Sequence, residues 1–429
     1  MRLHLNIKPL LLGGFFALLF LKSNVLWAQN QTERVLFLGN SYTYFNDLPQ
    51  LIADLAASGG DSLYHERSTP GGYTLQGHST NANSLSKINS GNWDHLVLQE
   101  QSQRPSFPLG QVQADVFPYA EQLNNLFIQS NPCGETVFFM TWGRENGDAM
   151  NCPVWPPVCT YEGMDSLLHR RYRMMADSNE ALLSPVGAVW HYLRQTHPSL
   201  ALYASDGSHP SLTGSYAAAC TFYSILFEKD PAQLSFHASL DSSDAGIIQR
   251  AARDLVYDSL HYWNVGRYRM QASIEIDSIT LTDTLLVSAS VQNAIGYHWL
   301  VNGSPATAPA LRFPRSPAQW HHFALLAFDG CDSLLIQDSI FVGGSMQLDD
   351  ADESEELFFP NPSRGSITIS PNLNGIWQAE ILDLQGRLQH NSAVRAAEEL
   401  NVSFIPPGVY ILHLKQDDLC RSRRLLICP

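Results

Sequence analysis

The chain has 429 residues, 45% of them hydrophobic and 16% charged, which supplies apolar material for several cores and excludes a disordered protein. At about 150 residues per domain, two or three domains are expected. The 41 acidic residues outnumber the 26 basic ones, leaving a net charge of −15 with no long basic run, so the composition speaks against a nucleic-acid partner.

Residues 1–28 read as a secretory signal peptide: Arg2 and Lys8 precede an apolar run from Leu10 to Leu21, and the small Ala28 stands before Gln29. That apolar run is shorter than the roughly 20 residues a bilayer span needs. Its removal would take Arg2, Lys8 and Lys22 and no acid, leaving −18, and no later segment is apolar enough to cross a membrane. Export permits disulfides. Cys152 and Cys159 bracket the Pro-rich segment CPVWPPVC and are expected to pair, whereas Cys133, Cys220, Cys331, Cys420 and Cys428 are too scattered to pair from sequence. Seven cysteines leave at least one thiol unpaired within the chain, and no spacing suggests structural zinc.

From residue 29 to 264 short apolar runs alternate with longer amphipathic ones, the pattern of an α/β domain with a parallel sheet covered by helices. Strands are expected at Val35 to Leu38, Leu96 to Gln99, Thr136 to Thr141 and Ala201 to Ala204. Helical spacing occupies Asp47 to Ser58, Gln111 to Gln129, Met164 to Asn179, Ala188 to Thr196 and Leu212 to Phe227. Residues 265–345 read instead as short alternating runs broken by Asn-Gly, Pro and Asp-Gly turns, an antiparallel β-sandwich with Trp299 in its core. The acidic run DDADESEE, within residues 346–356, reads as a solvated linker. A second small β-domain follows over 357–429, with strands SITIS, QAEILDL and VYILHL and turns at Gln385-Gly386 and Pro406-Pro407-Gly408.

Two motifs carry chemistry. FLGNSYT places Gly39, Asn40 and Ser41 between a strand and a helix, where open parallel sheets bind ligands and a backbone N–H can face a developing oxyanion; a helix-capping turn is the plainer use of the same residues. YASDGSHPSLTG places Asp206 and His209 three apart, ahead of another helix. A serine needs a base to take its proton, and an imidazole serves best when a carboxylate fixes its tautomer. Ser41, His209 and Asp206 supply the three roles.

On these residues the first domain resembles the SGNH, or GDSL-like, hydrolase family. The resemblance implies a flavodoxin-like three-layer fold and a serine nucleophile in an early Gly-Asp-Ser turn, here Gly39-Asn40-Ser41. It also implies a late Asp-x-x-His-Pro segment, here Asp206, His209 and Pro210. It further implies an oxyanion hole built from the Ser41 N–H, a glycine N–H and an asparagine side chain. STPGGYTLQGH offers Gly72, or Gly71, as the glycine. The family's Gly-x-Asn-Asp is replaced by Gln99-Glu100-Gln101-Ser102. A glutamine amide donates the same hydrogen bond, so Gln99 is the first candidate and Gln101 the second. His78, Glu100, Trp142 and Arg144 lie where they could line a substrate pocket.

Residues 357–428 are similar to the type A sorting domain of the type IX secretion system of Bacteroidota. The likeness rests on Pro360-Asn361-Pro362 with Gly365, on Gly408-Val409-Tyr410 and on the basic RSRRLLI. It implies the secretion machinery as partner and a secreted or cell-surface location. The expected function is a secreted serine esterase that forms an acyl-enzyme and needs no metal or organic cofactor, with a small-molecule or glycan ester as substrate and glycan deacetylation as one use. The competing reading is a noncatalytic exported carbohydrate-binding or adhesion protein with a degenerate SGNH domain, prompted by Asn40 and by Gln99 to Ser102.

Overall fold

The computed structural model describes residues 30–279, 284–306, 310–314, 319–342, 357–383, 387–416 and 419–428. The expected signal peptide, the acidic linker and the Gln385-Gly386 turn lie outside them.

Five strands form the first sheet: β1 (Thr32–Leu38), β2 (Ser62–Ser68), β3 (His95–Leu98), β4 (Glu135–Phe139) and β5 (Leu182–Ser184). Their order is β2-β1-β3-β4-β5 and every pairing is parallel. The apolar runs Val35–Leu38, Leu96–Leu98 and Val137–Phe139 are completely buried, as strands covered on both faces must be.

The covering helices are α1 (Ser41–Tyr44), α2 (Leu48–Ser58), α3 (Leu75–His78), α4 (Ala82–Asn89), α5 (Leu109–Asp115), α6 (Phe117–Ser130), α7 (Tyr161–Ser178), α8 (Val186–Thr196), α9 (Leu212–Phe227) and α10 (Ser242–Leu255). Helix α9 is apolar all round and is buried from Gly214 to Phe227, as its sequence requires.

Two local expectations are corrected, and one strand was not expected. The run Ala201 to Ala204 forms no strand; Tyr203 only bridges Pro210, and the fifth strand is the three-residue Leu182–Ser184 instead. Strand β2 escaped sequence reading because it is an edge strand with mixed exposure and little apolar alternation. The helix expected over Gln111 to Gln129 is two helices that meet at Val116, because Pro118 at the second position of α6 cannot donate to a continuous ladder.

The chain divides into two compact units, one running up to Ile274 with residues 289–307 and 323–337, the other made of 275–288, 308–322 and 338–429. The strands of 265–345 are therefore shared between them. They are β6 (Gln271–Ile279), β7 (Thr284–Gln292), β8 (Gly296–Val301), β9 (Ser304–Ala306), β10 (Ala310–Pro314), β11 (Gln319–Phe328) and β12 (Ser333–Val342), in sheets ordered β10-β7-β6 and β12-β11-β8-β9. In the first unit Trp299 is buried and stacks on Phe323 at 5.8 Å. That unit also contains the disulfide Cys133–Cys331, which joins residues 198 apart. Cys152 and Cys159 form the second disulfide, and Cys220 is a buried free thiol.

In the second unit, β13 (Phe358–Phe359), β14 (Ser366–Ile369), β15 (Ile376–Asp383), β16 (Leu388–Arg395), β17 (Glu399–Asn401), β18 (Gly408–Gln416) and β19 (Leu419–Ile427) form two antiparallel sheets, β13-β14-β17 and β16-β15-β18-β19. Their inward residues, among them Ile367, Ile369, Trp377, Ile381, Leu412 and Leu425, share one core, which makes this region an all-β sandwich.

Candidate active site

Strand order 2-1-3-4-5 puts a topological switch point between β1 and β3, where ligands bind beyond the carboxyl ends of the strands. Ser41 follows β1 and Gln99 follows β3, so both stand at that point. Leu38 and Leu98 are partners in register, which sets the Gly39-Asn40 turn against Gln99. A side chain on Gly39 would run into Thr43 Oγ1 and approach Gln99 Oε1 to 2.7 Å, so a larger residue would displace the side chains that hold this turn.

Asn40 caps α1: its Oδ1 accepts from Tyr42 N–H at 3.1 Å, and its Nδ2 donates to the Tyr73 carbonyl at 2.8 Å. The second bond gives this turn a use for asparagine where the resembling family has aspartate, since a carboxylate has no N–H to donate. Two residues in the left-handed region follow, Asn46 (φ 52°) and Asp47 (φ 50°), strain of a kind that persists only where surrounding contacts enforce it. Here Asn46 Nδ2 is held by Pro210 O at 3.2 Å and Ser215 Oγ at 2.9 Å, which ties the serine turn to the histidine loop.

Across that tie, His209 Nε2 lies 2.8 Å from Ser41 Oγ, and His209 Nδ1 lies 2.5 Å from Asp206 Oδ2. An ionised carboxylate only accepts, so Nδ1 carries the proton and Nε2 is left to accept from the Ser41 hydroxyl. Burial pushes the Asp206 carboxyl up, but hydrogen bonds from His209 and from the N–H groups of Ser208 and His209 outweigh it and hold the pKa at about 2. The imidazole stacks on Phe45 at 4.3 Å and meets the Tyr42 ring edge at 5.5 Å. Tyr42 in turn hydrogen-bonds Ser208 Oγ at 2.7 Å.

Tyr42 also begins an aromatic stack, with ring centroids 4.8 Å from Trp142, which lies 3.8 Å from Trp190. Trp142 was expected to contact substrate, but it is fully buried and donates from Nε1 to Ser208 O at 3.1 Å. It supports the histidine loop from beneath.

His78 and Glu100 were also expected near substrate, and both are fully buried. His78 Nε2 lies 2.9 Å from the Gly39 carbonyl and Nδ1 lies 2.8 Å from Ser84 Oγ. A carbonyl only accepts, so Nε2 carries a proton. Burial lowers its pKa to about 4. Glu100 accepts from Leu75 N–H at 3.2 Å and Gln101 N–H at 2.6 Å, joining the loop before α3 to the loop after β3. Burial raises its carboxyl to about 7 against the opposing effect of those bonds.

Gln99, the first candidate for the oxyanion hole, is fully buried too. Its Oε1 accepts from Asn40 N–H (2.9 Å) and the Thr43 hydroxyl (3.0 Å), and its Nε2 donates to Glu100 O (2.5 Å). The extra methylene over asparagine turns its oxygen into the serine turn, where it serves as an acceptor. Gln101 keeps partial exposure and its Nε2 contacts Gln103 Oε1 at 3.1 Å. Gly72, at φ +67°, is exposed beside the exposed Gly71. Among the described residues neither the Ser41 N–H nor the Gly72 N–H has an acceptor. Arg144 is half-buried, with Nη1 3.5 Å from Asp148 Oδ1.

Sequence reading missed Tyr42 and Ser208, which lie inside the two motifs, and Phe45 and Asn46, which follow the first motif directly; none had chemistry of its own to flag it. Among the described residues no cluster of three or more His, Cys, Asp or Glu side chains is placed to hold a metal ion, and no helix is long and apolar enough to cross a membrane.

Several solved structures are similar to part of the chain. A DUF4886 family protein from Bacteroides uniformis is 18% identical with a TM-score of 0.47, covering 54% of this chain and 95% of that one. A candidate SGNH hydrolase from Slackia heliotrinireducens is 25% identical with a TM-score of 0.37, covering 44% and 97%. The acetyl xylan esterase AlAXEase is 17% identical with a TM-score of 0.34, covering 44% and 98%. No curated protein matches the chain. The family model for the secretion system C-terminal sorting domain matches residues 357–428. The chain therefore ends in a type IX secretion sorting domain, which marks it for export to the cell surface or the medium.

Proposed function

We propose that the α/β region, residues 29–264, is a serine esterase that cleaves carboxylic esters through an acyl-enzyme. The observation that carries this reading is the unbroken chain Ser41 Oγ, His209 Nε2, His209 Nδ1, Asp206 Oδ2, with links of 2.8 and 2.5 Å, at the switch point of the sheet.

His209 takes the Ser41 proton as Oγ attacks the ester carbonyl. The N–H groups of Ser41 and Gly72, both without acceptors among the described residues, hold the oxyanion, and the partly exposed Gln101 amide completes the hole in place of Gln99. One such donor is worth about 3 kcal/mol of barrier. The imidazolium, stabilised by Asp206, protonates the leaving alcohol, and His209 then activates the water that releases the acid. Export by the sorting domain favours substrates outside the cell, and acylated glycans fit that setting.

Hydrolysis of p-nitrophenyl acetate and butyrate, with a serine-directed phosphonate read by mass spectrometry, tests the reading. Wild type is expected to turn over and label at Ser41, and Ser41→Ala to do neither. Equal inertness of both proteins would remove it in favour of the noncatalytic binding protein.

A further inference from the structure

The described triad contacts do not use Arg144, whose surroundings are unusual for a half-buried cation. The segment carrying it is fastened to the histidine loop on both sides: Trp142 Nε1 donates to Ser208 O at 3.1 Å, and Glu145 N–H donates to Gly207 O at 2.8 Å. Arg144 thus stands beside the loop that presents Asp206 and His209. Burial pushes the Tyr42 phenol up, and its hydrogen bond with Ser208 and the Arg144 charge oppose that shift.

The guanidinium is poorly satisfied within the protein. Its contact with Asp148 is long, 3.5 Å. That carboxylate is fully buried and already accepts from Gln103 Nε2 at 2.7 Å and Asn151 Nδ2 at 2.6 Å, both on Oδ2. Among the described residues the buried Arg144 Nε has no hydrogen-bond partner, while the side chain as a whole keeps 26% exposure. Buried donors are rarely left unpaired, and a guanidinium offers five in a planar fork that matches a carboxylate. The charges nearby are Glu145, whose Oε2 lies close to Gly207, Asp206, which is engaged by His209, Asp148, and the cationic Arg194, whose Nη2 donates to the Glu145 carbonyl at 3.2 Å.

We propose that Arg144 anchors a carboxylate carried by the ester substrate, so that the site prefers esters of acidic sugars or other carboxylate-bearing molecules over neutral ones. This deepens the esterase reading and rests on it. The anchor is separate from the reacting atoms, so it acts on substrate affinity and orientation.

The test uses the full exported chain with a matched pair of substrates, an O-acetylated methyl glucuronoside and the same acetylated methyl glucoside. Wild type is expected to favour the acidic ester at least tenfold in kcat/KM, mainly through KM. In Arg144→Ala the ratio falls toward one. Arg144→Lys, which keeps the charge beside Asp148 but not the fork, falls to an intermediate ratio. A wild type without preference overturns the anchor while leaving the esterase standing, as does an equal loss on both substrates in both variants, which is the signature of a simple counter-ion for Asp148. A wild type inert on both esters and unlabelled by phosphonate overturns the esterase reading and the anchor with it.

Discussion

Gln99 accepts the backbone N–H of Asn40 at 2.9 Å, linking the turns that follow the two strands on either side of the sheet's switch point. The same oxygen accepts from the Thr43 hydroxyl, and the whole side chain is inaccessible to water. Gln99→Ala should therefore strand two buried donors, at about 1–3 kcal/mol each. It is expected to lower thermal stability and, by loosening the serine turn, to reduce kcat more than tenfold with KM nearly unchanged. A variant with lowered melting temperature but normal kcat would show that the turn holds its shape without this bond.

Asn40→Asp tests why the turn departs from the resembling family. The carboxylate would keep the cap to Tyr42 N–H and lose the donation to Tyr73 O. Setting an anion against a carbonyl in a nearly buried site costs about 1–3 kcal/mol. Urea denaturation should detect that loss, with the loop bearing Gly72 becoming more sensitive to protease.

Asp206 stays ionised throughout the usable pH range, since its carboxyl is held at about 2. Its folded pKa lies below the ordinary value of 3.8, so the stabilisation it contributes is present above that value and disappears only as pH falls toward 2. Acid therefore cannot be used to remove it from the triad. Asp206→Asn should do so, lowering kcat by about 10³–10⁴-fold through loss of the correct imidazole tautomer, while phosphonate labelling of Ser41 slows in parallel.

Two buried groups beneath the site titrate with opposite consequences for stability. Glu100 has its folded pKa raised from 4.5 to about 7, so the unfolded chain ionises first and stability falls as pH climbs through that window. His78 has its folded pKa lowered from 6.5 to about 4, so the unfolded chain holds the extra proton and stability rises with pH over an overlapping window. Each is worth about 3 kcal/mol across its span. Relative to wild type, Glu100→Gln should therefore gain stability as pH rises from 4.5 to 7, and His78→Gln should lose it from 4 to 6.5. Denaturant unfolding at four or five pH values measures both slopes, and parallel profiles for all three proteins would contradict the assignment.

The Cys133–Cys331 bridge closes a loop of 198 residues, and in the chain-entropy view a loop of that size contributes about 5 kcal/mol. The double variant Cys133→Ser, Cys331→Ser should unfold at lower denaturant and become sensitive to protease around residues 329–332. The Cys152–Cys159 bridge closes a much shorter loop, and its removal should cost about half as much. Melting of both variants beside wild type, with and without reductant, ranks the two.

The sequence alone determined the parallel α/β architecture, since completely buried strands must be continuous apolar runs and Val35–Leu38 and Leu96–Leu98 are such runs. It also singled out Ser41, Asp206 and His209, because the two motifs together supply nucleophile, base and orienting carboxylate within one α/β domain, and it marked the sorting domain by its Pro, Gly and Tyr positions. Only the tertiary structure decided that Gln99, Glu100, His78 and Trp142 face inward. Nothing local distinguishes a glutamine that donates to substrate from one that accepts from a neighbouring turn; the parallel register of Leu38 with Leu98 makes that choice. The pairing of Cys133 with Cys331 was hidden for the same reason, since contacts between residues 198 apart depend on how strands and loops converge in space and leave no periodic trace along the chain.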